Sequence, residues 1–72
     1  MNNLNKAKIQ LNGAPHEIKD GTNLNELLNK LKIQTNKVAI EVNGEIVAKN
    51  KYSNLILNKD DKVEIVHFIG GG

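Results

Sequence analysis

An α+β fold, with one helix packed on a mixed sheet of four to five strands, is predicted by three features of the sequence. Two Asn-Gly dipeptides, Asn12-Gly13 and Asn43-Gly44, each follow a short run of alternating apolar residues, which is the signature of a tight hairpin. A single leucine stripe, Leu24, Leu27, Leu28 and Leu31, falls at the i, i+3, i+4, i+7 spacing of an amphipathic helix. A β-rich run from Lys62 to Ile69 feeds without a spacer into Gly70-Gly71-Gly72.

Residues 1–6 are polar and read as a flexible N-terminal extension. The alternation Lys8-Ile9-Gln10-Leu11 predicts a half-buried first strand, and a second runs from Pro15 to Ile18. Pro15 lacks an N–H for the ladder and belongs at a strand start or sheet edge. Asp20-Gly21-Thr22 breaks the pattern, and Asn23 with Glu26 forms a capping-box signature for the helix. Lys30 and Lys32 are assigned to the last turn, where cations complement the negative end of the helix dipole. Val38, Ile40 and Val42 alternate in a third strand, and Glu45-Ile46-Val47 makes a short fourth. Residues 49–58 read as irregular, with Tyr52, Leu55 and Leu57 plugging the core, and Lys59-Asp60-Asp61 as a polar turn. The last strand, Val63 to Phe68, is long enough to sit centrally. Hairpin, helix across the sheet, returning strands: this order is that of a β-grasp domain, here residues 7–69, with 70–72 as a flexible glycine tail.

Composition narrows the function. Seventy-two residues make one small domain with a thin core. The absence of cysteine excludes disulfides, thiolate metal sites, cysteine nucleophiles and an iron–sulfur β-grasp, and His16 and His67 alone do not make a metal site. Net charge is +2 from ten lysines, no arginine and eight acidic residues. With the lysines scattered and only Tyr52 and Phe68 aromatic, the chain lacks a nucleic-acid footprint, and an RNA-binding role is disfavoured. No apolar run approaches the ~20 residues of a membrane span, and the N-terminus lacks a secretory core, so the expected compartment is the cytoplasm.

The terminal glycines admit two readings, a frayed end or a working tail. The second draws weight from the strand that runs straight into them and would hold a terminal carboxylate away from a rigid body. Residues without a Cβ can thread a narrow channel and adopt backbone angles closed to others.

Val38-Ala-Ile-Glu-Val-Asn-Gly-Glu-Ile-Val47 and Asp61-Lys-Val-Glu-Ile-Val-His-Phe-Ile-Gly-Gly-Gly72 closely resemble the sulfur carriers of thiamine biosynthesis, the ThiS-type, ubiquitin-like β-grasp family. The similarity is collinear from about Lys8 to Gly72 and includes Asn23-Leu-Asn-Glu-Leu-Leu28. Ala48 stands where that family often has proline and Tyr52 where it often has tryptophan; both departures concern the core and leave the tail intact. The resemblance implies that Gly72 is the modified residue, with Gly70 and Gly71 threading it into a partner. A ThiF-type adenylyltransferase would use ATP and magnesium to adenylate the Gly72 carboxylate. A sulfur donor, usually a persulfide from a cysteine desulfurase, would convert it to a thiocarboxylate, and a ThiG-type thiazole synthase would take the sulfur. The chain would be a protein co-substrate without catalytic residues, bound metal or cofactor of its own. A molybdopterin-synthase small-subunit-like carrier and a ubiquitin-like protein modifier are the alternatives.

Strand parity predicts that Val63 and Ile65 face the helix while Glu64, Val66 and Phe68 face away. Val66, Phe68 and the adjoining Ile69 are therefore the expected partner-binding residues. His67 reads as a polar edge residue, and Glu41, Glu45, Asp60, Asp61 and Glu64 as solvated surface.

Overall fold

The computed structural model describes residues 5–68. Five strands and one α-helix follow in the order β1 (Lys6–Leu11), β2 (Ala14–Lys19), α1 (Leu24–Lys30), β3 (Val38–Val42), β4 (Glu45–Ile46) and β5 (Lys62–His67). Short 3-10 turns cover Thr35–Lys37 and Lys49–Asn54. The sheet runs β2-β1-β5-β3-β4, with β5 in the middle. β1 and β5 pair in parallel through Gln10–Lys62 and Leu11–Val63, and the other three pairings are antiparallel. This mixed five-stranded sheet with one helix is the predicted β-grasp architecture.

The hairpins form where the Asn-Gly pairs put them. Asn12 and Gly13 have φ of 49° and 84°, Asn43 and Gly44 of 53° and 85°, the left-handed values that a two-residue turn matched to strand twist requires. The capping box is complete as well: Glu26 N–H donates to Asn23 Oδ1 at 2.8 Å, and Asn23 N–H to Glu26 Oε1 at 3.0 Å. Two orphan donors of the first helical turn are thereby satisfied.

The C-terminus of α1 departs from expectation. The helix ends at Lys30, and Lys32 lies beyond it at φ 59° rather than in the last turn. Lys32 N–H donates to the Asn29 carbonyl and Ile33 N–H to the Leu28 carbonyl, both at 3.0 Å. That double bond pattern is a Schellman motif built on lysine in place of the usual glycine, so the stop signal was invisible in the sequence. Lys6 also differs: it pairs with Lys19 in β1 instead of belonging to the N-terminal extension. The 49–58 region is partly ordered by a 3-10 turn, and its exit pairs with the start of the helix. Leu24 N–H donates to the Leu55 carbonyl and Leu57 N–H to the Thr22 carbonyl, each at 2.9 Å.

The core lies between α1 and one face of the sheet. It joins Leu24, Leu27 and Leu28 of the helix to Ile9, Ile18, Val38, Ile40, Val42, Val63 and Ile65 of the strands, with Tyr52 and Leu57 closing one side. Leu31 and Leu55 pack against it half-buried. No charged residue is buried among the described residues, and no buried side-chain nitrogen or oxygen lacks a partner.

Two turn asparagines also hold the central strand. Asn12 N–H donates to the Val63 carbonyl at 2.9 Å; its side chain accepts from Ile65 N–H at 2.7 Å and donates to the Ile65 carbonyl at 3.3 Å. The β1 main chain turns away at this point, and an amide side chain continues the ladder in its place. At the other hairpin, Asn43 accepts from Lys62 N–H at 2.9 Å and donates to Asp61 at 3.0 Å. β5 is thus fixed along both edges near its start.

Burial of Tyr52 pushes its phenol above the usual value, because desolvation disfavours the phenolate. The unfolded chain gives up that proton first, at about pH 10. The stabilisation is therefore complete below that pH and is lost as pH rises through the folded value. Thermal melts between about pH 8 and 11 should show Tyr52→Phe losing less stability than the parent on the alkaline side. Parallel curves for the two proteins would exclude this account.

Candidate functional site

The two faces of β5 differ sharply. Val63 and Ile65 are 0% and 8% exposed against the helix, whereas Val66 and Phe68 are 52% and 59% exposed on the opposite side. The parity read from the sequence is therefore realised: the strand that leads to the glycines is anchored by one face and offers the other. Phe68 N–H still donates to the Lys37 carbonyl at 3.0 Å, extending the ladder one residue past the strand. Ile69, Gly70, Gly71 and Gly72, the remaining predicted site residues, lie outside the described residues.

The fold adds one residue that parity on β5 alone did not bring in. Glu41 pairs with Glu64 on one side and with Ile46 of β4 on the other, which places Ile46 on the same outer face as Val66. Ile46 is 74% exposed, the highest value among the exposed large apolar side chains described. A signal for it existed: a two-residue Asn43-Gly44 turn fixes the register in which Ile46 lies across from Glu41. Ala39, half-buried, sits across from Val66 and links the two strands. Ile46, Ala39, Val66 and Phe68 thus share one face of β4, β3 and β5, with Glu41 and Glu64 among them. Exposed large apolar side chains gathered on one sheet face are a candidate interaction surface.

Elsewhere the surface offers little chemistry. A concavity of about 570 Å³ runs between β2 and α1 and is rimmed by Lys6, Lys19, Lys30, Glu17 and Glu26. No three metal-ligating side chains converge among the described residues. His67 is exposed and makes no hydrogen bond through its ring there. Among the described residues, no helix is long and apolar enough to cross a membrane.

Fold and face together define a ubiquitin-like β-grasp domain with an exposed outer face on β3, β4 and β5. A family model described as the ThiS family matches residues 9–72, and the chain belongs to that family. It is similar to the sulfur carrier protein ThiS of Bacillus subtilis, 38% identical over 65 residues that cover 89% of this chain and 98% of that protein. Its fold is similar to the crystal structure of a thiamine biosynthesis protein, ThiS, from Geobacter metallireducens, with a TM-score of 0.79 and 32% identity over 90% of this chain and 99% of that one. It is also 48% identical over 65 residues to a thiazole synthase of Magnetococcus marinus, covering 90% of this chain. The chain spans only 20% of the length of that protein and of a second thiazole synthase, from Paramagnetospirillum magneticum.

Proposed function

We propose that this chain is a cytoplasmic sulfur carrier for formation of the thiamine thiazole, with Gly72 supplying the terminal carboxylate that carries the sulfur. The observation that supports it most is the family match, which runs through the last strand to Gly72 itself. A carboxylate is a poor electrophile because it is anionic and its oxygen leaves badly. The Gly72 carboxylate oxygen attacks ATP at the α-phosphate on an adenylating partner, and pyrophosphate leaves. A persulfide then attacks the acyl carbon: a C–S bond forms and AMP leaves. A second thiol cleaves the resulting S–S bond, releasing the thiocarboxylate and a disulfide. ATP and magnesium belong to the partner enzyme.

In this reading the exposed Val66 and Phe68, with Ile69 beyond them, dock the carrier while Gly70 and Gly71 extend into the partner's active site. The likeness to one fifth of two proteins named thiazole synthase supports a synthase as the acceptor, because joining carrier to acceptor raises their effective concentration. Incubation with a ThiF-type enzyme, ATP, magnesium and a sulfur donor should raise the intact mass by one sulfur minus one oxygen, localised to Gly72. An unchanged mass alongside an adenylating enzyme shown to be active on its own carrier overturns the reading. Higher-mass conjugates to lysines of other proteins would indicate a modifier instead.

A further inference from the structure

Glu41 and Glu64 are direct cross-strand partners on the outer sheet face. Like charges placed opposite each other on antiparallel strands are destabilising. The only ion pair among the described residues is Lys6–Glu17 at 3.9 Å, on β1 and β2, so neither carboxylate has a salt-bridge partner there. Lys62, two residues before Glu64 on the same strand, is the cation nearest by register, and it makes no ion pair with either carboxylate. Glu41, Glu64, Lys62, Asn43 and Gly44 rim one shallow depression of about 430 Å³. Ile46 stands across from Glu41, and Val66 follows Glu64 by two residues. Exposed apolar side chains thus surround an acidic pair that forms no ion pair with any described residue.

Covering such a face with an apolar surface alone would strip water from two carboxylates with nothing to replace it, a cost that outweighs the apolar gain. The cover must bring positive charge. We infer that the outer face of β3, β4 and β5 receives an enzyme surface that sets an arginine between Glu41 and Glu64 and apolar side chains on Ile46, Val66 and Phe68. Arginine fits better than lysine because its planar fork can donate to two carboxylates at once. A second copy of this chain is a poor occupant, since two-fold pairing across this face would bring four of these carboxylates together. The inference rests on the carrier reading and adds to it the chemistry of the partner's docking surface.

The test compares the full chain with the double variant Glu41→Gln/Glu64→Gln. Melting of each free protein is measured, and binding to purified ThiF-type enzyme and to thiazole synthase is followed by calorimetry at two salt concentrations. Removing the repulsion should raise Tm by roughly 1–4 °C. The same change should weaken binding to at least one enzyme by about tenfold or more, with a shallower salt dependence. A gain in stability coupled to a loss of affinity is a pairing that a merely structural role does not produce. Unaltered affinity for both enzymes overturns the inference, as does weakened binding without the rise in Tm, or concentration-dependent dimers of the parent chain held through this face. If the parent chain binds neither enzyme and gains no sulfur, the carrier reading itself has failed, an outcome distinct from a parent that binds as tightly as the variant.

Discussion

Deleting Gly72 is expected to abolish sulfur loading while leaving the melting temperature unchanged. Acyl activation and sulfur attack both occur at the terminal carbonyl, which must reach the reacting groups to within about 3–3.5 Å. Loss of one residue draws the new terminus back by up to ~3.6 Å of extended chain. Since a misplacement of about 1 Å can cost ~10²-fold in rate, loading should fall by more than roughly 100-fold. The fold should not notice, because the buried core of the described residues extends only from Ile9 to Ile65. Intact-mass time courses and thermal melts on the same preparation separate the two effects. Gly71→Val should behave similarly by a different route, since a β-branched side chain obstructs threading and closes backbone conformations open to glycine. A truncated chain that still gains one sulfur for one oxygen at the parental rate would show that the terminal position is not the chemical site.

Much of the fold was legible because its determinants are local. The Leu24-Leu27-Leu28 stripe, the Asn23–Glu26 box and the two Asn-Gly turns each lie within a few residues of sequence, and each formed as read. What escaped notice is non-local or chemically disguised. Asn12 bonds Ile65 across 53 positions and Asn43 bonds Lys62 across 19, so neither latch has a signature in its own neighbourhood. Lys32 occupies a left-handed helix stop that composition assigns to glycine. The 3-10 turn at Lys49–Asn54 carries no side-chain cap and no clear period to announce it. The candidate face divides in the same way. Exposure of Val66 and Phe68 followed from parity along one strand, whereas Ile46 and the opposition of Glu41 to Glu64 needed the register between strands.

Leu28→Ala should be the most damaging single change to the fold, and the temperature at which it acts distinguishes it from any change at the tail. Leu28 is 0% exposed on the buried face of α1, the only α-helix among the described residues to cover the sheet. Truncating a fully buried leucine removes its transfer free energy and leaves a cavity, together costing about 2–5 kcal/mol. A domain of this length has only about 4–11 kcal/mol of stability in all. The loss corresponds to a fall in Tm of roughly 8–40 °C at about 4–8 °C per kcal/mol. Leu31→Ala, at the half-buried helix end, has less surface to lose and should cost about half as much or less. Sulfur loading by the Leu28 variant should be normal in the cold, where the domain remains folded, and should fail on warming in step with the melt. The Gly72 deletion should instead be inactive at every temperature. A cost below about 1 kcal/mol for Leu28→Ala would mean that the helix–sheet interface carries little of the stability, contrary to the packing around this residue.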